Sequence, residues 1–414
     1  MDISLFLSIL NVLRSLITLL LFFLSLWIVI PAPNLTLIVL SVGVPEISAW
    51  LVIIQILCFG ITVFNFESNW QNILLIFVNI ASLAIFISPL LQFPQVNAQF
   101  QQQIETNLGT LTPPKSQTIS LKEIEDLSTK VINKKRSQPL IIKELFTGIS
   151  IPEVRIQRNT TIAEIDNQKL TMNVYQPLAK GEKRPTLIAI YGGAWRAGTP
   201  DNDEQFSRYI ASKGYTVITI DYRHAPKYQF PIQLEDVNLA CQYIYDRAEE
   251  LEVDLDSVAI MGRSAGSQLA MLAGYDDRII NFKGVIGYYG PIDLAHAYKY
   301  LPNPDPIDTR KVLIDYLGDS PDNLLPTYKQ ASPIYAVKGD LPPSLLIYAG
   351  KDHIVQPNAG RRMSQKLRDH YNTVVYLEIP WADHSFDSVF NGLSNQISLY
   401  YTEIFLAHIL KTQG

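Results

Sequence analysis

The chain has 414 residues, 48% of them hydrophobic and 18% charged, with a net charge of −5. That length exceeds one average domain and suits one large domain with an appendage. The acidic balance argues against a nucleic-acid partner, because the sole basic tract, Lys134-Lys135-Arg136, reads as a solvated helix end. Cys58 and Cys241 fall in parts of different composition, which makes them poor disulfide partners, and no metal-ligand spacing is present.

Residues 1–94 hold two carboxylates before Glu67, namely Asp2 and Glu46, and one base, Arg14. Apolar stretches near 8–31, 47–64 and 72–91 each approach the roughly 20 residues that cross a hydrocarbon core. Asn34, Pro45-Glu46 and Glu67 to Asn69 interrupt them where turns would fall, and Trp50 and Trp70 sit near span ends. The pattern predicts about three transmembrane helices as an anchor over 1–94. A cleaved signal peptide would instead need an early charge and a small-residue cleavage site after the first stretch, and both are missing. By the positive-inside rule Arg14 puts the N-terminus in the cytoplasm, so three crossings would put the remaining chain on the non-cytoplasmic side.

Residues 95–149 read as a polar stalk, rich in Gln and Thr, followed by a short amphipathic helix that starts at the capping box Ser120-Leu121-Lys122-Glu123. From about residue 150 to 414 the pattern becomes strands alternating with helices. Strands are expected at 153–158, 168–175, 185–191, 215–221, 257–261, 284–289, 344–349 and 373–379. Helices are expected at 201–213, 232–250, 265–275, 358–370 and 394–411. Several strands are continuous apolar runs, as in sheets covered on both faces, so the class is α/β with a mostly parallel sheet of eight strands. The first two strands have too short a connection for anything but antiparallel pairing.

Gly262-Arg263-Ser264-Ala265-Gly266 lies between an expected strand and an expected helix. A nucleophile elbow needs that context, since its serine sits on a sharp turn with no room for flanking side chains. Tyr191-Gly192-Gly193-Ala194-Trp195 follows the third strand, where small residues let backbone amides approach a developing oxyanion. The amides of Gly193 and Ala194, with that of Ala265, are the expected donors. Asp352 follows the seventh strand and His384 the eighth, which gives the order Ser, Asp, His. Asp383 is a rival acid, but adjacent loop residues rarely present side chains to each other. His353 reads as a structural or rim residue. His224, His296, His370 and His408 have no matching partner in the sequence, and Asp221 and Arg223 read as braces for loops.

These motifs, with Gly198, Asp221-Tyr222-Arg223, Ala225-Pro226, Phe230-Pro231, Leu341-Pro342-Pro343 and His384-Ser385-Phe386, resemble the α/β-hydrolase superfamily. The likeness covers roughly residues 150–412 and points to the hormone-sensitive-lipase-like carboxylesterase branch. The small-Trp ending of the second motif is also similar to that of isoprenylcysteine methylesterases and kynurenine formamidases, and the former carry N-terminal membrane spans. The resemblance implies an α/β-hydrolase fold and a serine esterase with Ser264, Asp352 and His384 as triad, no metal and no cofactor. It also implies an insert at 292–340 that caps the pocket. The family usually has His where this chain has Tyr191, and Tyr keeps a ring and a hydrogen-bonding tip, which implies retained activity.

The leading expectation is a membrane-anchored carboxylic-ester hydrolase acting on a small-molecule or lipid-derived ester. A serine peptidase or amidase of the same fold has the same catalytic residues. A ligand-binding domain without catalysis, on a membrane stalk, is the reading from another class. Oligomeric state has no signal in the sequence.

Overall fold

A computed structural model describes residues 3–64, 69–109, 136–276 and 279–410. Its centre is one eight-stranded sheet in the order β1-β2-β4-β3-β5-β6-β7-β8. The strands are β1 (Arg155–Ile165), β2 (Gln168–Gln176), β3 (Arg184–Ile190), β4 (Thr216–Ile220), β5 (Val253–Arg263), β6 (Gly284–Tyr288), β7 (Ser344–Ala349) and β8 (Val374–Ile379). β1 pairs antiparallel with β2, and β2 antiparallel with β4. From β4 through β8 every pair is parallel.

Both faces of the parallel strands are buried, which is why they read as unbroken apolar runs. Along β7, Leu346 and Tyr348 point into one core, and Leu345, Ile347 and Ala349 into the other. The first core is closed by α7 (Ile232–Asp246), α8 (Ala265–Gly274) and α12 (Asn358–Asp369). The second is closed by α6 (Glu204–Ala211) and α13 (Leu393–Ile409). The insert holds three short helices, α9 (Leu294–Lys299), α10 (Thr309–Leu317) and α11 (Pro321–Gln330).

The N-terminal part is helical: α1 (Ile3–Leu26), α2 (Leu35–Glu46), α3 (Ser48–Phe64) and α4 (Trp70–Leu108). Leu21, Trp27, Val44, Leu51, Cys58 and Phe86 form a third, separate apolar core between them. Outward, α3 and α4 expose Ile53, Ile56, Leu57, Leu74, Phe77 and Ile80.

The expectation of about three transmembrane helices is not met. One described helix, Trp70–Leu108, is long and apolar enough to cross a membrane by length and composition. The second apolar stretch, 47–64, is α3, which passes the same test only together with α2, from which it is bent by 81°, and the apolar part of α1 spans only Asn11–Leu26. The physical reason is docking: the C-terminal end of α2 turns onto the sheet domain, burying Ser41 and Glu46. Arg14 lies inside the bundle and donates to Asn72 Oδ1 at 2.7 Å, so it does not mark an interface. The non-cytoplasmic placement, which counted three crossings from Arg14, falls with that count.

The stalk is corrected in part. Residues 95–108 continue α4, whose Phe93, Val96, Phe100 and Ile104 are buried in the second core of the sheet domain. The Tyr401 hydroxyl of α13 donates to Asn97 Oδ1 at 2.7 Å along the same contact. The capping box at Ser120 to Glu123 lies outside the described residues. Arg136 is no solvated helix end. It is buried, with its guanidinium 2.6 Å from Glu144 and its amide donating to Glu403 at 2.9 Å, and α5 (Ile142–Thr147) follows it.

Candidate active site

Ser264 stands between β5 and α8 with φ 49° and ψ −120°, a conformation that residues with a side chain rarely adopt. Packing enforces it. A Cβ on Gly266 would lie 2.3 Å from the carbonyl oxygens of both Ile190 and Tyr191, so α8 starts directly against the end of β3. Gly192 makes the reciprocal approach, since its Cβ would fall 2.9 Å from the Arg263 carbonyl oxygen and 3.1 Å from Ser264 Cβ. The loop expected to stabilise an oxyanion is therefore pressed onto the elbow.

That loop is held from both ends. Gly193, Ala194 and Trp195 all have positive φ, at 138°, 53° and 57°. Trp195 is buried, stacks on Tyr316 at 4.1 Å between ring centres, and donates through Nε1 to Gln268 of α8 at 2.9 Å. Gln268 is a contributor that the sequence motifs miss, because its partner lies 73 positions away.

Tyr191 is buried at the root of the loop. Its hydroxyl donates to Asp221 Oδ1 at 2.6 Å and lies 2.9 Å from His224 Nε2, and its ring stacks on Tyr222. A phenol has one proton, which goes to the carboxylate, so His224 donates to the hydroxyl oxygen. His224 thus does have a partner. Burial lifts the Tyr191 phenol far above its ordinary range, with the nearby Tyr222 and Asp221 adding to the effect. Burial also raises Asp221, against hydrogen bonds from Tyr191 and the Tyr222 amide, and lowers His224. Tyr191→Phe should remove the donor and leave Asp221 short of a partner. The expected result is a loss of about 1–3 kcal/mol of stability, read by thermal unfolding, with the fold retained.

Asp352 and His384 meet at Ser264. His384 Nε2 lies 2.9 Å from Ser264 Oγ, and His384 Nδ1 lies 2.7 Å from Asp352 Oδ2. The other Asp352 oxygen accepts the amides of Ile354 and Val355, both at 2.8 Å, which fixes the carboxylate plane. The rival Asp383 faces elsewhere. It pairs with His353 Nδ1 at 3.1 Å and takes hydrogen bonds from Ser41 and from the His384 amide. Burial opposes its charge, yet the hydrogen bond and charge of His353, with Ser41 and Lys351, hold it below the usual carboxylate range. His353 is buried, in keeping with a structural residue. Burial would lower its pKa, but Asp383 raises it.

Arg263 ties the turn at Ser264 to the loop that carries His384. Its Nε lies 2.5 Å from Asp387, three residues after His384, and its NH1 lies 3.5 Å from Asp203. Burial disfavours its charge, but the two carboxylates outweigh that. Arg223 braces the neighbouring loop through Asp236 at 2.7 Å. A cleft of about 60 Å³ opens between insert residues His296, Tyr300 and Pro302 and residues Ile354 and Val355 of the loop after Asp352.

The architecture has counterparts. A solved esterase of Thermogutta terrifontis, Est2, superposes with a TM-score of 0.52 and 22% identity, covering 63% of this chain and 94% of that one. The chain has the α/β-hydrolase fold. The family model described as BD-FAE matches residues 172–367, a stretch of the α/β-hydrolase domain that includes Ser264 and Asp352 and ends before His384. Esterase LipQ of Mycobacterium tuberculosis is 30% identical over 224 residues, which make up 51% of this chain and 52% of the relative. Probable carboxylic ester hydrolase LipM of the same organism is 27% identical over 243 residues, 55% of each. The chain thus spans about half the length of the curated relatives it matches.

Proposed function

We propose that the chain is a carboxylic-ester hydrolase that works through an acyl-serine intermediate and is anchored to a membrane by α4. The observation that carries the reading is the continuous chain from Ser264 Oγ through His384 to Asp352, at 2.9 and 2.7 Å. Names of the relatives, esterase and carboxylic ester hydrolase, support the same reaction class.

In this reading His384 Nε2 takes the Ser264 proton as Oγ attacks the ester carbonyl carbon. Asp352 holds the Nδ1 proton, keeping the ring in the tautomer that can accept at Nε2, and offsets the charge of the imidazolium. The negative oxygen of the tetrahedral intermediate is received by the amides of Gly193, Ala194 and Ala265. Collapse expels the alkoxide, which takes its proton from His384. Water then attacks the acyl-enzyme with His384 again as base, releasing the acid and restoring Ser264.

The anchor is supported by the length and hydropathy of α4 and by the apolar side chains that α3 and α4 expose. The substrate class is a small-molecule or lipid-derived ester. The test is hydrolysis of a p-nitrophenyl ester series by the full chain in detergent, beside matched aminoacyl amides. Ester turnover with little amide turnover is expected, and preference for the amides would point instead to the peptidase reading. The protein should also stay with membranes through alkaline carbonate washing, and release by the wash would contradict the anchor.

A further inference from the structure

The loops that carry Asp352 and His384 are both fastened to the N-terminal helices. Lys351, next to Asp352, donates through Nζ to the Trp27 carbonyl oxygen at 2.8 Å. Asp383, next to His384, accepts the hydroxyl of Ser41, which lies on α2. Its two oxygens divide the work. Oδ2 takes Ser41, while Oδ1 takes the His384 amide at 2.7 Å and faces His353 Nδ1 at 3.1 Å. Asp383 therefore joins α2, the acid loop and the base loop at one carboxylate. Glu46, at the end of α2, accepts the Ser394 amide at 2.7 Å and so holds the start of α13. Ser41, Glu46 and Asp383 are exposed by 0, 3 and 1%. These contacts fall on loops, whose positions the sheet alone does not fix.

We propose that α2 is a positioning element of the active site: the Ser41 hydroxyl, through Asp383, holds the loop that places His384 against Ser264, so turnover depends on the N-terminal helices being seated on the α/β-hydrolase domain. The inference rests on the triad reading of Ser264, Asp352 and His384. Without the hydroxyl, Asp383 Oδ2 is buried and short of a donor, and a buried carboxylate turns toward whatever donor remains. The His384 amide is bound to the other oxygen of the same group, so the turn is passed to the backbone of the base. Small errors of placement at a general base reduce the rate of the chemical step and leave binding of the ester intact. Ser41 touches neither substrate nor reacting atoms in this scheme, which makes it a positioning residue.

The experiment compares wild type, Ser41→Ala, Ser41→Cys and Ser41→Thr as full chains in detergent micelles, with p-nitrophenyl butyrate as the probe. Thermal unfolding is recorded for each variant. Ser41→Ala is expected to lower kcat by about tenfold with KM unchanged. Ser41→Thr, which keeps the hydroxyl, should return kcat to near the wild-type value. Ser41→Cys, a weak donor, should fall between them, and it serves if the alanine variant does not fold. A folded Ser41→Ala with wild-type kcat would overturn the proposal. So would a threonine variant no better than alanine, or a change confined to KM. A different result, hydrolysis that survives Ser264→Ala, would instead overturn the triad reading on which the proposal stands.

Discussion

Ser264→Ala is expected to lower kcat for p-nitrophenyl esters by about 10⁴-fold or more, with the fold intact. The size follows from the loss of the covalent route. Without Oγ, His384 has no nucleophile to activate, and the remaining donors at Gly193, Ala194 and Ala265 stabilise only the slow attack of water. Alanine suits this position poorly in backbone terms, since Ser264 has φ 49° and ψ −120°, but serine bears the same strain with its own Cβ. Circular dichroism and melting should therefore resemble wild type. Near-normal turnover in this variant would place the nucleophile elsewhere.

The second large effect is expected at Asp352, the proposed acid. Asp352→Asn should lower kcat by about 10³- to 10⁴-fold, because an amide facing His384 Nδ1 favours the wrong tautomer and cannot offset the imidazolium. Asp383→Asn is the internal comparison. Asp383 is adjacent to His384 in sequence, yet its side chain is directed at His353 and Ser41 and meets His384 only at the backbone amide. Its loss should cost about tenfold, the scale of a displaced loop and not of a missing acid. Kinetics of the two purified variants on one ester decide the matter. A larger loss at position 383 than at 352 would exchange their roles.

Much of the domain was legible in the sequence because its strands are buried on both sides. Runs such as Ser344 to Ala349 have no competing helical reading at that length, and the expected strands match the observed ones to within a few residues, apart from longer ends on β1 and β5. Ser264, Asp352 and His384, which the fold brings within hydrogen-bond distance of one another, could be picked out because their context is local, a strand end followed by a turn. Other features were hidden by distance in the chain. Ser41 and Asp383 are 342 positions apart, and nothing near Ser41 marks it as a partner of a carboxylate. His224 and Tyr191 are 33 apart. The run from residue 95 has a composition dominated by Gln, which suggests a solvated stalk. The signal that corrects it is the spacing of Phe93, Val96, Phe100 and Ile104, an apolar stripe at helical period on which α4 docks. Hydropathy likewise marked three apolar stretches without revealing that α2 and α3 meet at 81°, since a bend between two apolar helices leaves composition unchanged.

The same contacts bear on how the protein should be handled. A chain trimmed to the sheet domain would expose Trp381 and Tyr401 where Phe93 and Phe100 of α4 now pack, and would remove Ser41 and Glu46 from the loops beside the site. The full chain in detergent is the proper object for the decisive measurement. That measurement is covalent labelling by a fluorophosphonate, read by mass spectrometry of the peptides. One adduct is expected, on Ser264, abolished in His384→Ala and blocked by prior incubation with an ester that acylates Ser264. A folded wild-type protein that stays unlabelled, or carries its adduct on another residue, would contradict the claim that Ser264 is the nucleophile.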